Sequence, residues 1–402
     1  MNAFTDTSSR NESSWSEAIY RLAISSLIGL SFIYTLAFNY LPGQLRLMSA
    51  GIIAAGYIAL SFERVLFSRD PAIRWMFTGV LLIIFAWAAG ALANPFDPER
   101  AGASVTIGFR SISGLFSGIV ILGFADKINP KLVLLGFIAL IVMAAVIALT
   151  QSSVYLGGTA RLHSFTGGES GLHSSALVLA VAGLGVFQLW RSGYVSTVIA
   201  APTLLVAAWV LLGYAVRTAL VLLLIAALVM AFQAVTRRTR YLAPILISFG
   251  IAVFLFVLLS LFSLMDGGTW KDLVSFSSGR LATYSERLNA LAQRDTLGHL
   301  FGSGPGSDLG FSRQWFWGPK VSHNDFIQHF KEDGVVGVFG TVIYIIGIHK
   351  FARSDGLPYA LCLVGTSAIS AALLARPTII IFLFLVLALL VNKPPSTRKL
   401  IT

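Results

Sequence analysis

His323 and Asn324 stand side by side near the end of the most polar stretch of the chain, followed by Asp325, Gln328, His329 and Glu332. An imidazole with an ordinary pKa near 6.5 can take a proton at neutral pH, so His323 is a candidate general base. A zinc site is disfavoured. His323 and His329 lie six residues apart, which suits no common helical ligand pair, and the single cysteine, Cys362, stands in an apolar run. A helix over 322–333 is expected to turn Phe326, Ile327 and Phe330 inward and leave His323 near its outer start. Beyond it Gly334, Gly337 and Gly340 recur every third residue, a pattern that allows close helix packing.

Basic residues lie upstream. Residues 280–294 read as a surface helix with an apolar face of Leu281, Tyr284, Leu288 and Leu291. Beside that face Arg280, Arg287 and Arg294 recur every seventh residue as a basic stripe suited to anions. Gly302-Ser303-Gly304-Pro305-Gly306-Ser307 is a tight turn, either an anion-binding nest or a simple reversal between two loop helices. Earlier, Arg161 opens a Gly/Ser/Thr-rich segment within 151–172. Arg110 falls inside an apolar run and Arg217 at the start of another. A guanidinium there normally faces protein or a wet cavity, and with no acid in the runs an anion is one expected occupant of such a cavity; the alternatives are snorkelling or carbonyl hydrogen bonds for Arg110 and an interfacial anchor for Arg217.

These groups must be held by membrane-spanning helices. Of 402 residues, 56% are hydrophobic and only 12% charged, about half the charge of an ordinary soluble domain. Runs of about 20 apolar residues recur along the chain. Twelve spans are expected, centred on 21–39, 47–66, 75–93, 105–125, 132–150, 173–190, 195–213, 217–235, 243–265, 334–350, 357–375 and 377–392. The acidic residues are read as lying in loops and termini. With both termini inside, sixteen basic residues collect on the inner side and five (Arg46, Arg100, Arg161, Arg217 and Arg376) in the short outer loops. The net charge of +11 then reflects topology and calls for no nucleic acid. The expected fold is an all-α polytopic membrane protein of about 12 transmembrane helices with one large periplasmic loop containing short helices. Its parts are a nine-span membrane domain (1–265), a loop carrying the chemistry (266–333), and a three-span domain with a cytoplasmic tail (334–402).

Taken in order, the motifs resemble those of one family. They are the Arg161 segment, Tyr214-Ala215-Val216-Arg217-Thr218-Ala219-Leu220 opening a span, Ser278-Gly279-Arg280, the Gly302–Gly306 turn, and His323-Asn324 with Glu332, Gly334 and Gly337. The chain is similar over roughly 155–345 to the bacterial O-antigen ligase and polymerase superfamily of integral-membrane glycosyltransferases. The resemblance implies metal-independent and cofactor-free glycosyl transfer at the outer face of the inner membrane. The donor would be a glycan on undecaprenyl diphosphate, and the acceptor lipid A-core or a growing glycan. It assigns the diphosphate to Arg217, Arg280 and, as a weaker match, Arg161, and activation of the acceptor hydroxyl or aid to the leaving diphosphate to His323. Asn324, Glu332, Arg287 and Gly304 would support them. Val216 departs from the pattern, where the family often has Ser before the Arg. A ligase is favoured over a polymerase. A polysaccharide or lipid transporter is the non-enzyme alternative, disfavoured by the lack of acids in the spans and of internal repeats.

Overall fold

The computed structural model describes residues 6–68, 70–93, 101–151, 154–156, 159–165, 171–216, 218–220, 222–224, 226–227, 280–310, 322, 324–352, 363–364, 367 and 377–391. The described chain is almost entirely helical. Its helices are α1 (Asp6–Ala37), α2 (Gly43–Phe67), α3 (Pro71–Ala93), α4 (Ala101–Gly123), α5 (Pro130–Thr150), α6 (Leu172–Arg191), α7 (Thr197–Tyr214), α8 (Arg280–Ala292), α9 (Thr296–Phe301), α10 (Asp325–Glu332), α11 (Gly334–Ala352) and α12 (Pro377–Val391). A short antiparallel hairpin, β1 (Val154–Leu156) and β2 (Thr159–Arg161), precedes α6 and pairs Val154 with Arg161.

Seven of these helices are long and apolar enough to cross a membrane, and α4 and α12 carry shorter apolar helices over Gly108–Gly123 and Pro377–Leu390. Helix is the expected outcome for such runs, because hydrocarbon leaves every backbone N–H and C=O to be satisfied within its own segment. All nine coincide with expected spans. Those expected at 217–235, 243–265 and 357–375 lie wholly or mostly outside the described residues. α1 begins at Asp6, ahead of its candidate span Glu17–Ala37. One expectation needs correction. Glu63 is not in a loop. It lies within α2, one turn from its end, and accepts a hydrogen bond from Tyr20 at 2.7 Å.

α6 and α12 form the centre of the bundle. Phe382, Phe384, Leu385, Val386 and Leu387 are fully buried, as expected for a helix that is apolar all round. Phe382 stacks on Phe32 at 4.7 Å and meets Phe137 edge-on at 6.1 Å, tying α12 to α1 and α5. A second contact positions the loop helices. α11 crosses α3 where two glycines oppose each other, and a Cβ on Gly340 would stand 2.7 Å from the Gly79 carbonyl oxygen. The close crossing lets the buried Tyr344 hydroxyl reach the Leu115 carbonyl at 2.7 Å, which joins α4 to the same unit. Near the end of α3 a Cβ on Gly90 would lie 2.6 Å from the Phe301 carbonyl oxygen. The last turns of α3 therefore form the floor on which α9 rests.

Candidate functional site

α8 runs over Arg280–Ala292, close to the expected helix. Its inward stripe is Thr283, Arg287 and Leu291, spaced by four, while Leu288 is 52% exposed. This corrects the expected apolar face: a basic residue from the supposed outer stripe is one of its buried members. Arg287 donates to the Gly310 carbonyl at 2.8 Å and faces Asp308 at 3.6 Å. Just past the helix Arg294 donates to the Lys331 carbonyl at 2.7 Å.

α9 is capped by Asp295, whose side chain accepts from Gly298 N–H at 2.8 Å. It ends in the glycine turn. Gly302, Gly304 and Gly306 all have positive φ, at 71°, 83° and 79°, which explains three alternate glycines: a side chain would be strained at each. The turn N–H groups are spent on α10. Ser303 N–H donates to the Lys331 carbonyl at 3.1 Å and Gly304 N–H to the Glu332 carbonyl at 2.9 Å. Gly306 N–H donates to the Glu332 carboxyl at 3.0 Å. The turn is thus a reversal, and its concave side holds a carboxyl of the protein itself.

α10 starts at an Asn324 cap, whose side chain accepts from Ile327 N–H at 3.0 Å. Its faces are inverted relative to expectation. Asp325, Gln328, His329, Lys331 and Glu332 are buried, as is Asp333 after the helix, while Phe326, Ile327 and Phe330 are only half-buried. Polar groups face inward because their partners lie there. Gln328 donates to the Glu332 carboxyl at 3.2 Å, and His329 Nδ1 contacts Asp333 Oδ2. Asp308 accepts Ser322 N–H at 2.6 Å and stands 3.8 Å from Lys331 Nζ. Its contacts to Arg287 and Lys331 are long ion pairs rather than hydrogen bonds.

Burial dominates the electrostatics. It pushes the Glu332 carboxyl well above the usual carboxylate range, helped by Asp333 and Asp308 and opposed by Gln328 and the Gly306 N–H. It raises Asp333 likewise and holds His329 down to about 4 against the nearby Asp325. The Asp308 carboxyl is raised by burial against the pull of Ser322, Lys331 and Arg287. Lys331 is lowered by burial to about 8. For the His329–Asp333 pair both directions favour a neutral arrangement, with the Asp333 carboxyl donating to Nδ1.

The expected site residues divide. Asn324, Glu332, Arg287 and Gly304 fall within this one packed unit. Arg280 is the first residue of α8. Arg161 ends β2 and is half-buried. The next residue, Leu162, donates its N–H to the Gly213 carbonyl at 3.1 Å, which docks the hairpin on the end of α7. His323 and Arg217 lie outside the described residues. Ala215, two residues before Arg217, takes a left-handed φ of 50° that ends α7. Asp308, Lys331 and Asp333 were not expected in the site, while Gln328 and His329 were noted only as polar neighbours of His323 and Arg294 only as part of the basic stripe. The available signal was the four-residue spacing of Asp325, His329 and Asp333 and of Gln328 and Glu332. Compared with family models and with curated proteins, the chain has no match.

Proposed function

We propose that the protein is a membrane glycosyltransferase that moves a glycan from undecaprenyl diphosphate to an acceptor hydroxyl, as in O-antigen ligation to lipid A-core. In this reading the chain spans the bacterial inner membrane twelve times, with both termini in the cytoplasm and 266–333 in the periplasm. The acceptor oxygen attacks the anomeric carbon as the bond to the diphosphate breaks. The hydroxyl proton passes to His323, and the electron pair leaves with the diphosphate. Arg217 and Arg280, with Arg161 as a weaker third, hold the charge that builds there, because guanidinium forks bind phosphate oxygens bidentately and stay charged.

The observation that supports this reading is the fixing of both chain neighbours of His323. Ser322 is buried, with its N–H on Asp308, and Asn324 caps α10. A base gains from being held in place before the acceptor arrives. Glu332 supports the same element by closing the glycine turn. The remaining motif residues thus have structural work, while Arg280 opens a helix whose Arg287 is anchored.

The test is a lipopolysaccharide gel from a deletion strain complemented with wild type or His323→Ala. Ligase loss leaves bare core, with long glycan stranded on its carrier; polymerase loss leaves core bearing a single repeat unit. His323→Ala should reproduce the deletion while inserting normally. A wild-type ladder from that variant removes His323 from the mechanism, and an unchanged gel from the deletion removes both enzyme readings.

A further inference from the structure

A cleft of about 550 Å³, counting its open mouth, lies among α1, α2, α4 and α12, away from the loop helices. Arg110 and Tyr34 line it together with Ile53, Ala54, Tyr57 and Ile381, and its lining contains no carboxylate. Arg110 is the tenth residue of α4, about 14 Å of helix from Ala101. Arg110 is exposed rather than packed among the helices, and a guanidinium within a membrane span needs either water or an anion. Among the described residues it has neither a carboxylate nor a carbonyl partner. A second cation reaches the cleft's edge. Arg46 packs over Phe38 at 5.3 Å, and Phe38 meets the cleft residue Tyr34 edge-on at 5.6 Å. Arg46 Nε is buried and without a hydrogen bond.

The walls are of two kinds. Ser31, Ser113 and Thr378 add small polar groups to the lining, while Ala50, Ile53, Ala54, Phe109 and Ile381 are apolar. A free anion would use the cation and waste the apolar walls. An uncharged lipid would use the walls and leave the guanidinium unpaired. A molecule that joins a phosphate to hydrocarbon satisfies both. The cleft is also distinct from the loop unit. Gly108, two residues before Arg110, faces Pro305 of the glycine turn, at 3.3 Å from an added Cβ. Two residues turn a helix by about 200°, so the cleft lies on the other face of α4.

We propose that this cleft binds an anionic membrane lipid, its headgroup phosphate on Arg110 with Arg46 beside it and its hydrocarbon along Ile53, Ala54 and Ile381. The inference does not rest on the glycosyltransferase reading, and its test reads lipid binding alone. The full chain is placed in nanodiscs of phosphatidylcholine, or of equal parts phosphatidylcholine and phosphatidylglycerol. Thermal unfolding is followed, and retained lipid is counted by native mass spectrometry. Wild type should retain phosphatidylglycerol over phosphatidylcholine and unfold at a higher temperature with it. Arg110→Gln should weaken that retention about tenfold, and Arg110→Lys less. Ala50→Phe, which fills the cleft and keeps every charge, should weaken it as much as Arg110→Gln, and it carries the test if Arg110→Gln does not fold. Wild type without preference between the two lipids overturns the proposal. So does undiminished retention in Ala50→Phe or in a folded Arg110→Gln. Stabilisation by inorganic phosphate alone equal to that by phosphatidylglycerol also overturns it, because the ligand would then be the free anion.

Discussion

Glu332 closes the glycine turn, and its removal is the sharpest test of how the loop is held. Glu332→Ala takes away the acceptor for Gly306 N–H at 3.0 Å and for the Gln328 amide at 3.2 Å. Both groups are buried. A buried donor left unpaired costs about 1–3 kcal/mol, so the two together cost roughly 2–6 kcal/mol of local stability. With each 1.4 kcal/mol worth a factor of ten, amide exchange in 302–310 should quicken roughly 30-fold to 20,000-fold. Water entering the space would move the result toward the lower figure. Glu332→Gln keeps one acceptor oxygen and loses only the ionisable proton, so its exchange should stay within about tenfold of wild type. The assay is hydrogen–deuterium exchange by mass spectrometry on the full chain in nanodiscs. Unchanged exchange in Glu332→Ala would show that the carboxyl does not hold the turn. Equal damage in the two variants would show that charge, and not the acceptor, is what matters.

The other predictions use the same preparation. Arg280→Lys should impair transfer despite keeping its charge, since the bidentate fork is lost; full activity in a transfer assay would argue against a shaped diphosphate site. Arg287→Met should loosen 302–310 by about 1–3 kcal/mol, because Gly310 and Asp308 lose a cationic partner, and exchange as slow as wild type would place the guanidinium outside the frame. The loop should also respond to pH, through opposing contributions. Glu332, Asp333 and Asp308 have folded pKa values above their unfolded ones, so the stability they contribute is present at low pH and lost as pH rises through the folded values. His329, held at about 4, acts oppositely: its contribution is present above its unfolded value near 6.5 and lost as pH falls toward 4. Between about pH 4 and 6.5 the three carboxyls outweigh the one imidazole, so exchange protection of the loop, corrected for intrinsic rates, should fall as pH rises, and Glu332→Gln should make that fall shallower. Protection that rises with pH over this range would contradict the assignment.

The helices that cross the bundle were legible in sequence because one physical rule governs them. Pro71–Ala93, Pro130–Thr150 and Leu172–Arg191 lie within about four residues of the bounds that apolar run length gives. The start of α1 at Asp6 was not, because hydropathy marks where hydrocarbon ends and not where a helix does. The loop was harder. In 322–333 the apolar set Phe326, Ile327 and Phe330 and the polar set Asp325, Gln328, His329 and Glu332 both recur at helical spacing. Periodicity shows that there are two faces but does not say which is inward. The usual assumption that apolar residues point in failed, because the neighbouring segments present N–H groups and guanidinium to α10 rather than side-chain hydrocarbon. Arg287 was misplaced for the same reason. Its partners, Asp308 and the Gly310 carbonyl, are more than twenty residues away in sequence, where no local pattern reaches.

That inversion bears on how the site is divided. A short loop helix has too little apolar surface to be ordered by burial alone, and ordering each residue costs about 1–2 kcal/mol of backbone entropy. α10 is ordered by specific bonds instead: a side-chain cap at Asn324, a carboxyl in the glycine turn, and a carbonyl of Lys331 that accepts from Arg294, Ser303 and Ser307. Such bonds fix orientation as well as stability, because each has a direction. Residues that make them are used up and cannot also bind substrate without breaking the frame. Glu332, Arg287 and the glycine-turn N–H groups are therefore poor candidates for holding a diphosphate, however suitable their chemistry looked in the sequence. The proposed diphosphate contacts fall instead to Arg217, Arg280 and Arg161, and the proposed base to His323, next to the cap. A loop built in this way separates the groups that hold it from the groups that would act, and damage to the first should show as lost order before it shows as lost chemistry.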